Sequence, residues 1–313
     1  MKKTMMLAAL LFCMTAGAQT EKRLDKIVFE SEEDGETIKT GYDLGYDEQG
    51  RLVHILTNEE TSMPGTVEQN YVYSATGDKV EWTLKMVSPD DNLNLKADLL
   101  LRNDRVFRCN LNDRTEEFSN VFEYDTEGKL SEILINHGKE GKAVFTWENG
   151  NITRIDYYLK NKLKAETTVQ YTEKTAKGEA GVLLMPYECS HIDEMSYGQL
   201  FPYGYFGKCI KNLPASKKTV VYEDGSYTEE VKYTYELDAA GYVVGCEENE
   251  GEEVNRYTFT WTETTGVGNV PADRQEKAVT EVYSLNGARA GKTAKGVHVV
   301  KYTDGSCRKK AMR

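Results

Sequence analysis

Polar and apolar residues alternate along most of this chain. From Val80 to Met86, Val-Glu-Trp-Thr-Leu-Lys-Met places an apolar side chain at every second position. From Tyr227 to Leu237 one face carries Tyr227, Val231, Tyr233, Tyr235 and Leu237, broken only by Glu229. The other carries Thr228, Glu230, Lys232, Thr234 and Glu236. Tyr257, Phe259 and Trp261 alternate in the same way with Thr258, Thr260 and Thr262. Successive side chains of a strand point to opposite faces, so each segment predicts a β-strand with one packed and one solvated face. Strands of this kind belong to antiparallel sheets.

Between the strands a weak repeat recurs. Tyr46-Asp47-Glu48-Gln49-Gly50-Arg51-Leu52 is matched position for position by Tyr124-Asp125-Thr126-Glu127-Gly128-Lys129-Leu130. Looser copies are Tyr73 to Val80, Trp147 to Ile152 and Tyr235 to Val243. An Asp or Asn opens a type I turn and Gly takes the left-handed position after it, which is the chemistry of a short bulged hairpin. The expected fold is all-β: a large antiparallel meander of hairpins forming a curved or open-barrel-like sheet.

Two regions break the alternation. Lys177 to Pro214 holds many breakers and aromatics, with short helices expected at Glu179 to Leu184 and Ile192 to Leu200. An insertion of this length packs across an open end of the sheet or carries function. Gly266 to Asp273 reads as a linker. Residues 281–313 then hold eight Lys or Arg and two acids, on a chain whose net charge is −12. That contrast marks a separate small β module. At the other end, Lys2 and Lys3, the apolar run Thr4 to Thr15 and Ala16-Gly17-Ala18 have the order of a secretory signal peptide cleaved between Ala18 and Gln19. A lipoprotein reading at Cys13 is disfavoured by Leu11 and Phe12 before it. The expected organisation is a signal peptide (1–18), an antiparallel β domain (19–265), a linker (266–280) and a C-terminal β tail (281–313).

Composition narrows the function classes. A pI near 5.0 argues against nucleic-acid binding, which needs clustered Lys and Arg. The mean hydropathy of −0.59 and a single long apolar run exclude a helical membrane protein. The Thr, Glu and Lys of the second strand face argue against a lipid-facing barrel as well, so the mature chain is not expected to span a membrane. Of 313 residues, 20 are Tyr. The densest aromatic cluster, Tyr197, Phe201, Tyr203, Tyr205 and Phe206, is the candidate ligand site, because exposed rings stack on sugars or dock proteins. The competing reading is that these rings plug the end of the barrel as core.

Other chemistry is sparse. No nucleophile elbow, HExxH, P-loop or dinucleotide fingerprint is present. Cys189, His191, Asp193 and Cys209 are ligand types suited to Zn²⁺, but their spacing matches no established motif, and the competing reading is a helix start. The acidic run Glu247 to Glu253 suits either Ca²⁺ or a charged hairpin loop. Five cysteines follow the signal: Cys109, Cys189, Cys209, Cys246 and Cys307. Cys189 and Cys209 are the one pair considered for a disulfide, against isolated buried thiols. No cofactor is expected.

Two stretches resemble known families. Gly204-Tyr205-Phe206-Gly207-Lys208-Cys209-Ile210-Lys211-Asn212-Leu213-Pro214, with the strands Thr219 to Leu237 and Tyr257 to Trp261 after it, resembles a Bacteroidetes family of secreted domains of unknown function described as porin-like in fold. The resemblance spans residues 40–263 and implies a curved or barrel-like antiparallel sheet, without implying a pore. Val282 to Arg289, Lys295 to Lys301 and Arg308-Lys309-Lys310 resemble the last strands of a type IX secretion C-terminal sorting domain, although the tail is short and closes in Ala311-Met312-Arg313. The expected function is non-catalytic binding or scaffolding by an exported protein of the periplasm, outer surface or extracellular space. Its expected partners are a glycan or another envelope protein, besides the export machinery. The rival readings are a glycan-binding or adhesin module and an envelope hydrolase using carboxylates.

Overall fold

The computed structural model describes residues 22–33, 35–58, 60–62, 65–89, 92–112, 117–178, 203–222, 226–251 and 253–264, and four strands beyond residue 278. Sixteen strands form the main unit: β1 (Lys22–Glu33), β2 (Glu36–Tyr46), β3 (Leu52–Thr57), β4 (Thr66–Tyr73), β5 (Lys79–Val87), β6 (Asn92–Arg102), β7 (Arg105–Asn112), β8 (Glu117–Tyr124), β9 (Leu130–Ile135), β10 (Gly141–Glu148), β11 (Asn151–Leu159), β12 (Lys162–Thr175), β13 (Asn212–Val221), β14 (Tyr227–Leu237), β15 (Val243–Glu250) and β16 (Glu253–Glu263). Each pairs antiparallel with the next, and β16 returns to pair with β1 from Lys22↔Glu263 to Glu30↔Arg256. The sheet is therefore a closed barrel, which corrects the expectation of an open or merely curved sheet. Closure satisfies the backbone groups that two free edge strands would expose. The expected helices of the insertion lie outside the described residues. A 3₁₀ turn lies at Asn136–Gly138.

Because neighbouring strands run in opposite directions, alternate turns lie at opposite ends. All five sequence repeats fall at one end, where β1 starts and β16 finishes; we call this the repeat rim. The turn chemistry there is as the repeat predicts. Asp47 Oδ1 accepts the N–H groups of Gln49 (3.0 Å) and Arg51 (2.9 Å). Asp125 does the same for Glu127 and Lys129, both at 2.9 Å, and Asp238 for Ala240 and Tyr242, both at 2.9 Å. Gly50, Gly128 and Gly241 have φ of 74°, 82° and 86°, the left-handed conformation that side chains resist. Register shifts fall immediately before Tyr46, Leu101, Tyr124, Trp147, Tyr171 and Leu237, so the same bulge recurs around the rim.

The barrel's buried side chains are mostly apolar, with Thr40, Gln69, Asn120, Thr167, Lys217 and Thr219 buried among them, and its outside is charged. Leu24, Leu52, Val80, Val106, Leu130, Ile152, Leu213 and Val243, one from each odd-numbered strand, form an inner ring, none more than 1% exposed. Trp82, Leu99, Ile135 and Ala143 are fully buried further in. A round barrel of sixteen strands encloses room for an aqueous channel. Side chains sealed to this degree leave no such lumen beside them, so this part of the interior is packed core. Some of its polar atoms are paired inside: Gln69 Oε1 accepts both Tyr71 Oη–H (3.0 Å) and Trp82 Nε1–H (3.1 Å), whereas the buried Tyr235 hydroxyl has no hydrogen-bond partner among the described residues. Beyond the barrel, β17 (Val279–Tyr283), β18 (Arg289–Ala290), β19 (Gly296–Tyr302) and β20 (Cys307–Met312) form their own antiparallel sheet in the order β18-β17-β19-β20. The chain divides into two compact units, residues 1–270 and 271–313.

Candidate functional site

The insertion returns to the barrel at Tyr203, and its described portion is an irregular strap laid along the repeat rim. Tyr203 Oη lies 2.8 Å from Tyr46 Oη. The Tyr205 carbonyl accepts the Val106 N–H at 2.7 Å, and its ring packs 5.8 Å from that of Tyr73. Phe206 sits 5.1 Å from Phe122. The Lys208 and Lys211 N–H groups then reach the carbonyls of Gly128 (3.1 Å) and Gly150 (3.0 Å). Nine residues thus bridge five consecutive hairpins, reading off one turn after another. Gly207 is needed for this approach: with φ of 90°, a Cβ there would stand 2.5 Å from the Gly128 carbonyl oxygen.

Below the strap, aromatic donors latch the strand pairs. Tyr46 Oη–H donates to the Leu24 carbonyl (2.5 Å), Tyr73 to Leu52 (2.8 Å), Tyr124 to Val106 (2.6 Å) and Tyr171 to Ile152 (2.6 Å). Trp147 Nε1–H donates to Leu130 (2.7 Å) and Trp261 Nε1–H to Val243 (2.7 Å). Each acceptor belongs to the inner aliphatic ring. Leu101 and Leu237 occupy the corresponding place in the two remaining strand pairs. Burial pushes the phenols of Tyr73, Tyr124 and Tyr171 well above their ordinary range, so they remain protonated donors. The repeat exposed the aromatic in Tyr46, Tyr73, Tyr124 and Trp147, but not its role. Tyr171 and Trp261 lie outside the motif, and Trp261 reads in the sequence only as the apolar face of an alternating strand, although both lie near strand ends at the same rim.

The expected site residues are placed as follows. Tyr203, Tyr205 and Phe206 are 5%, 5% and 2% exposed. Their rings face Tyr46, Tyr73 and Phe122, which closes them to stacking on an external sugar. Tyr197 and Phe201 lie outside the described residues, as do Cys189, His191 and Asp193 and the Ala18–Gln19 cleavage point. Cys209 is exposed on the strap. Among the described residues no three His, Cys, Asp or Glu side chains gather into a metal-binding group. The acidic run ends in the β15–β16 hairpin, where Glu247 pairs with Arg256 (3.1 Å) and Glu248 accepts the Tyr257 hydroxyl (2.9 Å). Cys109 and Cys246 are buried thiols, and burial pushes Cys246 up to about 12.

The outer wall carries a ladder of ion pairs. Lys79 meets Asp98 (3.3 Å), Lys96 meets Glu81 (3.0 Å), Lys142 meets Glu132 (2.6 Å), and Arg154 holds both Asp156 and Glu166 at 2.8 Å. Ion pairs at a surface contribute little to stability. Their position is the informative part, because a lipid-facing barrel presents apolar side chains on this face.

Comparisons with known proteins agree with this architecture. Residues 44–245 match the family described as a domain of unknown function (DUF4595) with porin-like fold. A crystal structure of a porin-like protein from Bacteroides uniformis superposes with a TM-score of 0.52 at 14% identity, covering 76% of this chain and 98% of that one. No curated protein matches the chain. On residues 44–245, two thirds of its length, the chain belongs to the DUF4595 family of domains of unknown function with a porin-like fold.

Proposed function

We propose that this chain is an exported, water-borne barrel that acts by binding or scaffolding at the cell envelope, without catalysing a reaction and without forming a pore. The inverted polarity of the barrel carries the reading. Channels of this strand number keep a polar lumen and an apolar outer band. Here Trp82 and Leu99 fill the inside, while Lys79, Asp98, Lys96 and Glu81 line the outside. A charged cylinder with a packed core offers its surface rather than its interior. The Met1 to Ala18 segment supports export, and the tail is proposed as a sorting module.

The experiment is purification of the chain from Gln19 onward without detergent, followed by planar-bilayer recording. Monodisperse protein that adds no conductance is expected. A requirement for detergent together with stable conductance steps would overturn the proposal. Secreted protein from the native host should begin at Gln19, and intact Met1 or a lipid on Cys13 would remove the export reading.

A further inference from the structure

We propose that the outer face of the β6–β7 hairpin binds a tetrahedral oxyanion, a phosphate or sulfate group, through Arg102, Arg105 and Arg108. The three arginines fall within seven residues of an acidic chain. The hairpin register pairs Arg102 with Arg105 and Arg108 with Leu100, while Leu99, Cys109, Leu101 and Val106 take the inward positions. The register therefore starts all three side chains on the outer face, and the Arg105 guanidinium lies over the Tyr124 ring and against the Gly128 turn. Arg102 lies over the ring of Phe107, the residue before Arg108, at 4.3 Å.

Among the described residues, none of the three is hydrogen-bonded or paired with a carboxylate, and Arg108 Nε is buried without an acceptor. A desolvated donor left unmade costs free energy and calls for an explanation. Equivalent arginines elsewhere on the rim show what is missing. Arg23 stacks over Tyr46 at 4.4 Å and Arg51 over Tyr73 at 4.1 Å, as Arg105 stacks over Tyr124 at 5.7 Å. Arg23 also holds Asp25 (3.5 Å), and Arg51 holds Asp47 (2.6 Å). Arg105 has no counterpart to Asp47, because its hairpin turns through Asn103 and Asp104 alone, at φ of 54° and 62°. Asp98 is engaged with Lys79 (3.3 Å), Glu127 with Lys129 (2.7 Å) and Asp125 with two backbone N–H groups at 2.9 Å, and neither Asp104 nor Glu123 stands at ion-pair distance from the three arginines.

A guanidinium is a rigid fork that meets two oxygens of one anion at once. Three forks offer more donors than a single carboxylate can accept, whereas a phosphate or sulfate presents three or four oxygens in different directions. The unused Arg108 Nε is the donor such a ligand would satisfy.

The test uses the whole mature chain at constant ionic strength, with sodium phosphate, sulfate, acetate and chloride compared by calorimetry and thermal melting. Saturable binding of phosphate and sulfate, but not of acetate or chloride, is expected. Arg102→Gln and Arg108→Gln should each weaken it tenfold or more, while Arg51→Gln leaves it unchanged. Arg102 is exposed, so its variant reports even if Arg108→Gln fails to fold. No saturable binding, or equal binding by wild type and Arg102→Gln, would overturn the proposal. Sedimentation with phosphatidylcholine vesicles containing phosphatidic acid, lost in the same variant, would assign the anion to a lipid headgroup. Free phosphate binding with no sedimentation would assign it to a soluble ligand.

Discussion

The Tyr124 hydroxyl donates a 2.6 Å hydrogen bond to the carbonyl of Val106, tying the end of β8 to the start of β7 beneath the strap. The same relation joins five further strand pairs, from Tyr46–Leu24 to Trp261–Val243. The ring is held in turn by the cation of Arg105, 5.7 Å away. One bulged, aromatic-latched hairpin is thus the unit from which most of the barrel rim is assembled.

Removing a latch should cost stability without changing the fold. Tyr124→Phe keeps the ring and leaves the Val106 carbonyl without its phenol donor, for a loss of about 1–3 kcal/mol. Urea denaturation should show a lower midpoint at an unchanged slope. A midpoint equal to wild type would show that the bond contributes nothing.

The strap depends on one close approach. Gly207→Ala places a Cβ 2.5 Å from the Gly128 carbonyl oxygen, and should cost about 2 kcal/mol or more because two backbone segments must separate. Gly77→Ala, at φ of 71° in open space, should cost only about 1 kcal/mol. Equal losses in thermal melts of the two variants would contradict the account of the strap.

Acid should loosen the start of the barrel. Asp238 is held below the ordinary carboxylate range by its hydrogen bond from Lys22 Nζ at 2.5 Å, and then by the Tyr242 N–H. A depressed folded pKa contributes stability that is present above the unfolded value and lost as pH falls through the folded one. Lys22 is raised by the same bond, so its share is lost only as pH rises through its folded value, above the ordinary 10.5. Asp238→Asn keeps an oxygen for the turn but removes the charge. It should melt below wild type at pH 7 and converge with it in acid, below the ordinary pKa of 3.8. A constant difference across that range would exclude the linkage.

The buried thiols should be silent. Burial holds Cys246 at about 12 and raises Cys109 as well, so neither is thiolate at pH 8. Maleimide labelling read by mass spectrometry should reach Cys109 and Cys246 only after denaturant is added. Labelling of either in the native protein would contradict the burial.

Truncation after Gly266 should leave the barrel's melting transition in place. The barrel closes at Glu263, and β17 to β20 complete a sheet of their own. If the tail is a sorting module, secretion or surface display falls while the transition persists. Loss of the transition would make the tail a structural part of the barrel.

Alternation and turn residues determined much of this protein locally. The Tyr-Asp-x-x-Gly motif specified its hairpins, since an Asp that accepts two N–H groups and a Gly with positive φ act within a few residues. The period of two likewise specified which face of Tyr227–Leu237 packs. Tertiary structure alone decided closure. Nothing local in Lys22–Glu33 announces that it pairs with Glu253–Glu263, because that pairing rests on twist and bulge summed over fourteen intervening strands. It also decided that Tyr203, Tyr205 and Phe206 are core. An aromatic cluster in a loop reads alike whether its rings face water or a neighbouring turn, and only the stitching of the strap to Val106, Gly128 and Gly150 separates the two. The arginines of β6–β7 show the same limit: their spacing stands in the sequence, but that no described carboxylate pairs with them is a property of the wall on which they sit.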